Sequence, residues 1–93
     1  MPTRWCRAMH TPITLPELGL PEGQRITLSV WYAEQGEFVF EGDRLVEVLT
    51  DGATFDVPSP ASGVLVERWA YPRDVLQTGQ VLGVVEMEEE DTR

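Results

Sequence analysis

The feature that most constrains this chain is that much of it occurs twice. Displacing the sequence by 37 residues, the step from Leu28 to Leu65, also lays Ala33 on Ala70, Gly42 on Gly79, Leu45 on Leu82 and Val48 on Val85. Each copy carries the same skeleton of an apolar residue, a glycine, a leucine and a valine at intervals of three: Val39, Gly42, Leu45, Val48 and then Leu76, Gly79, Leu82, Val85. The coincidences fall on turn glycines and on regularly spaced apolar positions, so one supersecondary unit is expected twice. A chain of 93 residues makes one domain and buries only roughly 60% of its unfolded surface. Neither copy has enough apolar surface for a core of its own, and the two are expected to pack face to face about a pseudo-twofold axis.

The copies read as β structure. Turn chemistry recurs about every 8 to 12 residues, the spacing of short antiparallel strands: Pro21-Glu22-Gly23, Gln35-Gly36-Glu37, Glu41-Gly42-Asp43, Asp51-Gly52, Pro58-Ser59-Pro60, Ser62-Gly63, Pro72-Arg73-Asp74 and Thr78-Gly79-Gln80. Between these turns lie β-branched and aromatic runs at 26–32, 45–49, 53–57, 64–69 and 81–86. The run Ile26-Thr27-Leu28-Ser29-Val30 alternates apolar and polar, as a half-buried strand does. No window sustains three turns of helical periodicity. The expected fold is all-β: a sandwich or barrel of two four-stranded antiparallel sheets.

The folded part is expected to span Ile13 to Glu86, after a flexible lead-in at 1–12 and before an acidic, solvated tail at 87–93. Met9 stands as an alternative start to Met1, because the patterned sequence begins just after it. No apolar run reaches the length of a membrane span, and the N-terminal residues lack the apolar stretch of a secretory signal. The single Cys6 forms no internal disulfide, which fits a reducing, cytoplasmic setting. Cys6 and His10 are four apart, yet two ligands fall short of a metal site. One histidine and one cysteine outside the patterned region assemble no nucleophile–base pair. Neither an enzyme nor a metal protein is expected.

Sixteen acidic residues against seven basic ones give a net charge of −9, which repels nucleic acid and anionic membrane surfaces. All seven basic residues are arginines, at 4, 7, 25, 44, 68, 73 and 93. Without a lysine, the chain has no side-chain primary amine for acylation, Schiff-base formation or biotinylation.

Between the two copies stands Leu49-Thr50-Asp51-Gly52-Ala53-Thr54-Phe55-Asp56, two short strands hinged on Asp-Gly. Asp-Gly signals a type I′ hairpin turn, with positive φ at both central residues. Asp51, Gly52 and Ala53 are therefore placed at a tip, with Glu47 and Asp56 giving the hairpin a negative surface; these five are the candidate partner-recognition residues. Thr50 and Thr54 are expected as turn and sheet-edge residues, and Trp31 and Trp69 as strand residues packed on a sheet. Trp31, Tyr32, Phe38 and Phe40 together form an unusually large aromatic surface for so small a domain.

Four blocks carry a resemblance to a known family: Pro16-Glu17-Leu18-Gly19; the glycine, valine and leucine pattern from Gly36 to Val48; Thr50-Asp51-x-Ala53-Thr54-x-x-Val57-Pro58-Ser59-Pro60-x-x-Gly63; and the pattern from Asp74 to Leu82. They resemble lipoyl domains, the swinging-arm carriers of 2-oxo acid dehydrogenase complexes, relatives of biotinyl carrier domains. The resemblance covers about three quarters of the chain and implies a flattened barrel of two four-stranded sheets. It also implies lipoate, held in amide linkage by a lysine in an Asp-Lys-Ala tip. Here the tip reads Asp51-Gly52-Ala53, so the acceptor position falls on Gly52, and the Met-Lys-Met of a biotinyl tip is absent as well. The expectation is a carrier fold without an attachable cofactor, serving as a protein-interaction module or a relic scaffold. Alternatives are a docking decoy or structural subunit of an acyl-transfer complex, and a lipoyl-like segment of an efflux adaptor. Lipoate ligase or a 2-oxo acid dehydrogenase component is the implied partner, and the chain is expected as a monomer or weak dimer. Arg73 replaces a glycine usual in the family, which predicts a different turn geometry there. Phe40 replaces a residue that is commonly polar, which predicts an exposed apolar patch.

Overall fold

The computed structural model describes residues 4–92, with side chains described from Met9 to Met87. It contains eight strands: β1 (Arg4–Thr14), β2 (Ile26–Trp31), β3 (Phe38–Val39), β4 (Arg44–Thr50), β5 (Ala53–Pro58), β6 (Gly63–Arg68), β7 (Val75–Leu76) and β8 (Val81–Thr92). They form two four-stranded sheets, in the orders β1-β8-β6-β3 and β5-β4-β2-β7, and every pairing is antiparallel. Advancing each strand by four places in the chain turns one order into the other. The repeat expected from the sequence is thus a relation between the sheets.

Backbone hydrogen bonds repeat with it. Tyr32 N–H donates to Leu45 C=O at 2.7 Å, and its counterpart Trp69 N–H donates to Leu82 C=O at 2.8 Å. Four turns are closed the same way. Asp43 N–H donates to Phe40 C=O at 2.9 Å, while the Asp43 carboxylate accepts from Phe40 N–H at 2.9 Å. Gln80 and Gln77, Glu37 and Glu34, and Asp74 and Tyr71 make the same reciprocal pair. An acid or amide after the turn glycine, or after Arg73, thus satisfies an amide that a tight turn would strand.

The skeleton residues of both copies, Val39, Leu45, Val48, Leu76, Leu82 and Val85, are all buried in one cluster between the sheets. Ile13, Leu15, Leu28 and Leu65 complete its centre. Trp31 ties the sheets at their margin: its indole Nε1 donates to Ala70 C=O at 2.8 Å. Its ring comes within 3.1 Å of where a Cβ on Gly83 would stand, and the Arg68 guanidinium lies 6.0 Å from its centroid. Trp69, expected to pack in the same way, lies just past β6 and is exposed, its indole donating to the Glu67 carboxylate at 2.9 Å.

Strand extends beyond the Ile13–Glu86 span: β1 and β8 pair continuously from Arg4↔Thr92 to Ile13↔Gly83, with the core beginning at Ile13. Residues 1–3 and 93 lie outside the described residues. The sequence hides this ribbon because neither stretch alternates and each finds its partner at the far end of the chain. The ribbon lengthens the molecule to 59 × 22 × 18 Å with a radius of gyration of 15.5 Å, against about 12 Å for a compact chain of this size.

A further expectation is corrected: Arg73 does not alter its turn. It holds φ at 77°, beside 96° for its counterpart Gly36, and its N–H donates to Leu28 C=O at 2.8 Å as Gly36 N–H does to Leu65 C=O at 2.7 Å. The flanking bonds, repeated from the other half, force the glycine conformation on a residue with a Cβ.

Candidate functional site

The hairpin of β4 and β5 is a regular ladder, Val48↔Phe55, Leu49↔Thr54 and Thr50↔Ala53, closed by the two-residue loop Asp51-Gly52. Gly52 has φ at 84°, and Asp51 is not among the residues with positive φ. This is the sign pattern of a type II turn, with glycine at the second central position. It corrects the type I′ expectation, which required Asp51 to share the left-handed region. Thr50 is buried and its hydroxyl donates to Ala53 C=O at 3.2 Å, pinning the base of the loop. Asp51, Gly52 and Ala53 are all exposed. No atom lies within 4 Å of where a Cβ on Gly52 would sit, so the tip offers backbone, one carboxylate and open space.

The five candidate residues divide into two groups. Asp51, Gly52 and Ala53 form the tip. Glu47 and Asp56 face each other across the ladder, about 13 Å back from the tip at the rise of a strand. Like charges directly opposed repel, and this pair is managed by its neighbours. The Arg44 guanidinium reaches Asp56 at 3.4 Å and lies 5.2 Å from the Tyr32 ring centroid, while the Tyr32 hydroxyl donates to Glu47 at 3.1 Å. Desolvation, then the hydrogen bond and charge of Glu47, hold the Tyr32 phenol above its ordinary value of 10.0, with Arg44 pulling the other way. Thr54 is exposed on β5, as its expected edge position requires.

The site also includes a segment that the repeat left unexplained. Leu15 and Ser59 occupy equivalent places, since Leu15 N–H donates to Gln80 C=O at 3.0 Å and Ser59 N–H to Asp43 C=O at 2.7 Å. From there the second copy reaches β6 through three residues, Pro60 to Ser62, whereas the first reaches β2 through ten, Pro16 to Arg25. The longer connection comes alongside the tip, where Gln24 Nε2 donates to Asp51 C=O at 3.3 Å. Next to it a concavity of about 390 Å³ is lined by Leu18, Leu20, Pro21, Ile26 and Leu76, among others. The unequal spacing of the two copies is the sequence signal that would have revealed it.

Among the described residues no three His, Cys, Asp or Glu side chains group as metal ligands. His10 Nε2 meets the Glu86 carboxylate at 2.9 Å, and the Cys6 side chain lies outside those described. Similarity to known proteins falls on the folded body. The model of the family described as "Biotin-requiring enzyme", covering biotinyl and lipoyl domains, matches residues 11–86. The chain belongs to this family. Among lipoyl-type relatives it is 38% identical over 78 residues to the dihydrolipoyllysine-residue succinyltransferase component of the 2-oxoglutarate dehydrogenase complex of Bartonella vinsonii subsp. berkhoffii, covering 84% of this chain and 19% of that protein. It is 32% identical over 77 residues to the lipoamide acyltransferase component of the branched-chain alpha-keto acid dehydrogenase complex of Pseudomonas putida, covering 82% and 18%. It is 33% identical over 79 residues to the dihydrolipoyllysine-residue acetyltransferase component of the pyruvate dehydrogenase complex of Corynebacterium glutamicum, covering 83% and 11%. The lipoyl-type domain thus spans about a fifth or less of the length of these relatives.

Proposed function

We propose that this lipoyl-type domain works without a prosthetic group, as a protein-interaction module that docks through its hairpin tip and the adjoining 16–25 connection. The observation that carries the reading is Gly52. A carrier arm of this kind is joined to the fold through an amide bond, which requires an amine at an exposed, unobstructed tip. This tip has the exposure and the open space, but the residue there is glycine and the chain contains no lysine. No side chain of the domain can therefore carry lipoate or biotin.

What remains is the exposed hairpin tip of a domain of the biotinyl and lipoyl family. Its relatives are components of 2-oxo acid dehydrogenase complexes, so the expected partner is a component of such a complex or the ligase that acylates its carrier domains. Docking would occupy the partner's carrier-binding surface without delivering an acyl group. The net charge of −9 steers encounter toward a basic surface, an effect that weakens as salt rises.

Intact mass after incubation with a lipoate ligase, lipoate and ATP tests the reading. The protein should emerge unmodified, and Gly52→Lys should gain one lipoyl group. Modification of the unaltered chain would overturn the proposal. A Gly52→Lys variant that folds but stays unmodified would show that Gly52 is not the acceptor position. Competition of the unaltered domain with a lipoylated one for the ligase or dehydrogenase component supplies the binding test, and absence of competition would remove the docking role.

A further inference from the structure

Phe38 and Phe40 take no part in the hairpin site, and the core makes no use of them. β3 lies at the edge of its sheet. Val39 points inward and is buried, while Phe38 and Phe40 remain 54% and 63% exposed. Their rings meet edge-on, with centroids 5.1 Å apart and planes at 74°. The internal repeat supplies a control, because the equivalent positions in the other half are Val75 and Gln77. The fold is completed there without an aromatic pair. Beside Phe38 a recess of about 350 Å³ is lined by Ser62, Gly63, Val64 and Glu86. The patch adjoins the Arg44 end of β4, about 20 Å along the strand from the tip.

The charges around it identify what it fits. Glu37 and Glu41 flank the two rings in sequence; one Glu37 oxygen accepts from Glu34 N–H and one Glu86 oxygen meets His10, while the Glu86 carboxylate also lines the recess and no arginine lines it. A second copy of this chain would bring the same carboxylates against themselves. An added strand would find only the two residues of β3 to pair with, too few for recognition through backbone hydrogen bonds. An exposed aromatic pair with a carboxylate on either side in sequence, and a third at the recess, suits a guanidinium, which stacks on ring faces and pairs with carboxylate oxygens at the same time. We infer that the Phe38–Phe40 patch is a second docking site, for an arginine-bearing segment of a partner protein with an aliphatic side chain seated in the recess. This site does not depend on how the hairpin tip is used.

Amide NMR titration of the full chain tests it, using a synthetic octapeptide with two arginines bracketing a leucine and a counterpart with glutamines in place of the arginines. Shifts should concentrate at Phe38–Glu41 and Ser62–Val64 and spare Asp51–Ala53, and the glutamine peptide should leave the spectrum unchanged. Phe40→Ser should weaken the arginine peptide about tenfold or more, as loss of an aromatic anchor does. Glu41→Gln, an exposed change that leaves the core untouched, should weaken it several-fold. Absence of binding, shifts spread evenly over the acidic surface, or full affinity in both variants would overturn the inference.

Discussion

Arg73 holds a backbone conformation that favours glycine, and the structure shows why it stays there. Its amide is committed to Leu28 and the following turn is closed by Asp74. A side chain in the left-handed region costs about 1–2 kcal/mol. Arg73→Gly should therefore stabilise the domain by about 1 kcal/mol, a rise of roughly 4–8 °C in a thermal melt; an unchanged or lower midpoint would refute the strain. Gly52 presents the same physics in reverse. With φ at 84° and no obstruction, Gly52→Lys should fold normally and melt lower by a similar amount. A lysine variant melting higher would contradict this. Gly83 differs, because its constraint is proximity. A Cβ there would collide with the Glu67 carbonyl and crowd the Trp31 ring, so Gly83→Ala should cost about 1–3 kcal/mol in chemical denaturation.

At the scale of the element, the β4–β5 hairpin separates two tasks along its length: a bare tip, and a charged stretch held by Arg44 and Tyr32. The second is open to titration. The Tyr32 phenol is held above 10.0, and burial and Glu47 both favour its neutral form. A group raised in the folded state contributes stability that is complete below its unfolded value and is lost as pH climbs through the folded one. Stability should thus decline above pH 10 as Tyr32 ionises. In a Tyr71→Phe background, leaving Tyr32 as the one tyrosine, ultraviolet titration should place its ionisation above that pH, and Glu47→Gln should bring it down. An unshifted curve would disprove the coupling.

Much of this hairpin was legible in the sequence, since Thr50 to Ala53 is a local signal with a local cause. The turn type was not, because Asp-Gly suits more than one turn and the ladder on either side selects among them. Gln24 was invisible for another reason. Its bond to Asp51 joins residues 27 apart, and no periodicity records a contact between a loop and a tip.

For the whole molecule, the pairing of the sheets was written in the 37-residue displacement, whereas the terminal ribbon emerged only in three dimensions. Small-angle scattering should return a radius of gyration near the 15.5 Å of the full chain. Removing residues 1–8 and 88–93 should bring it to about 12 Å while leaving the melting midpoint nearly unchanged, because the core starts at Ile13. A truncated chain that unfolds would show that the ribbon supports the body.

The exchange of sheets under the pseudo-twofold has a topological corollary. The β8–β1 pairing is the counterpart of the β4–β5 hairpin, lacking only a peptide link, and Arg4 stands opposite Thr92 across it. The outer ends of β1 and β8 and the tip of the β4–β5 hairpin therefore stand at equivalent places in the two sheets. A circular permutant, opened between Asp51 and Gly52 and joined by a short linker across the old ends, would retain every strand neighbour. Its new amino terminus would be Gly52, which would then carry a primary amine at the exposed turn.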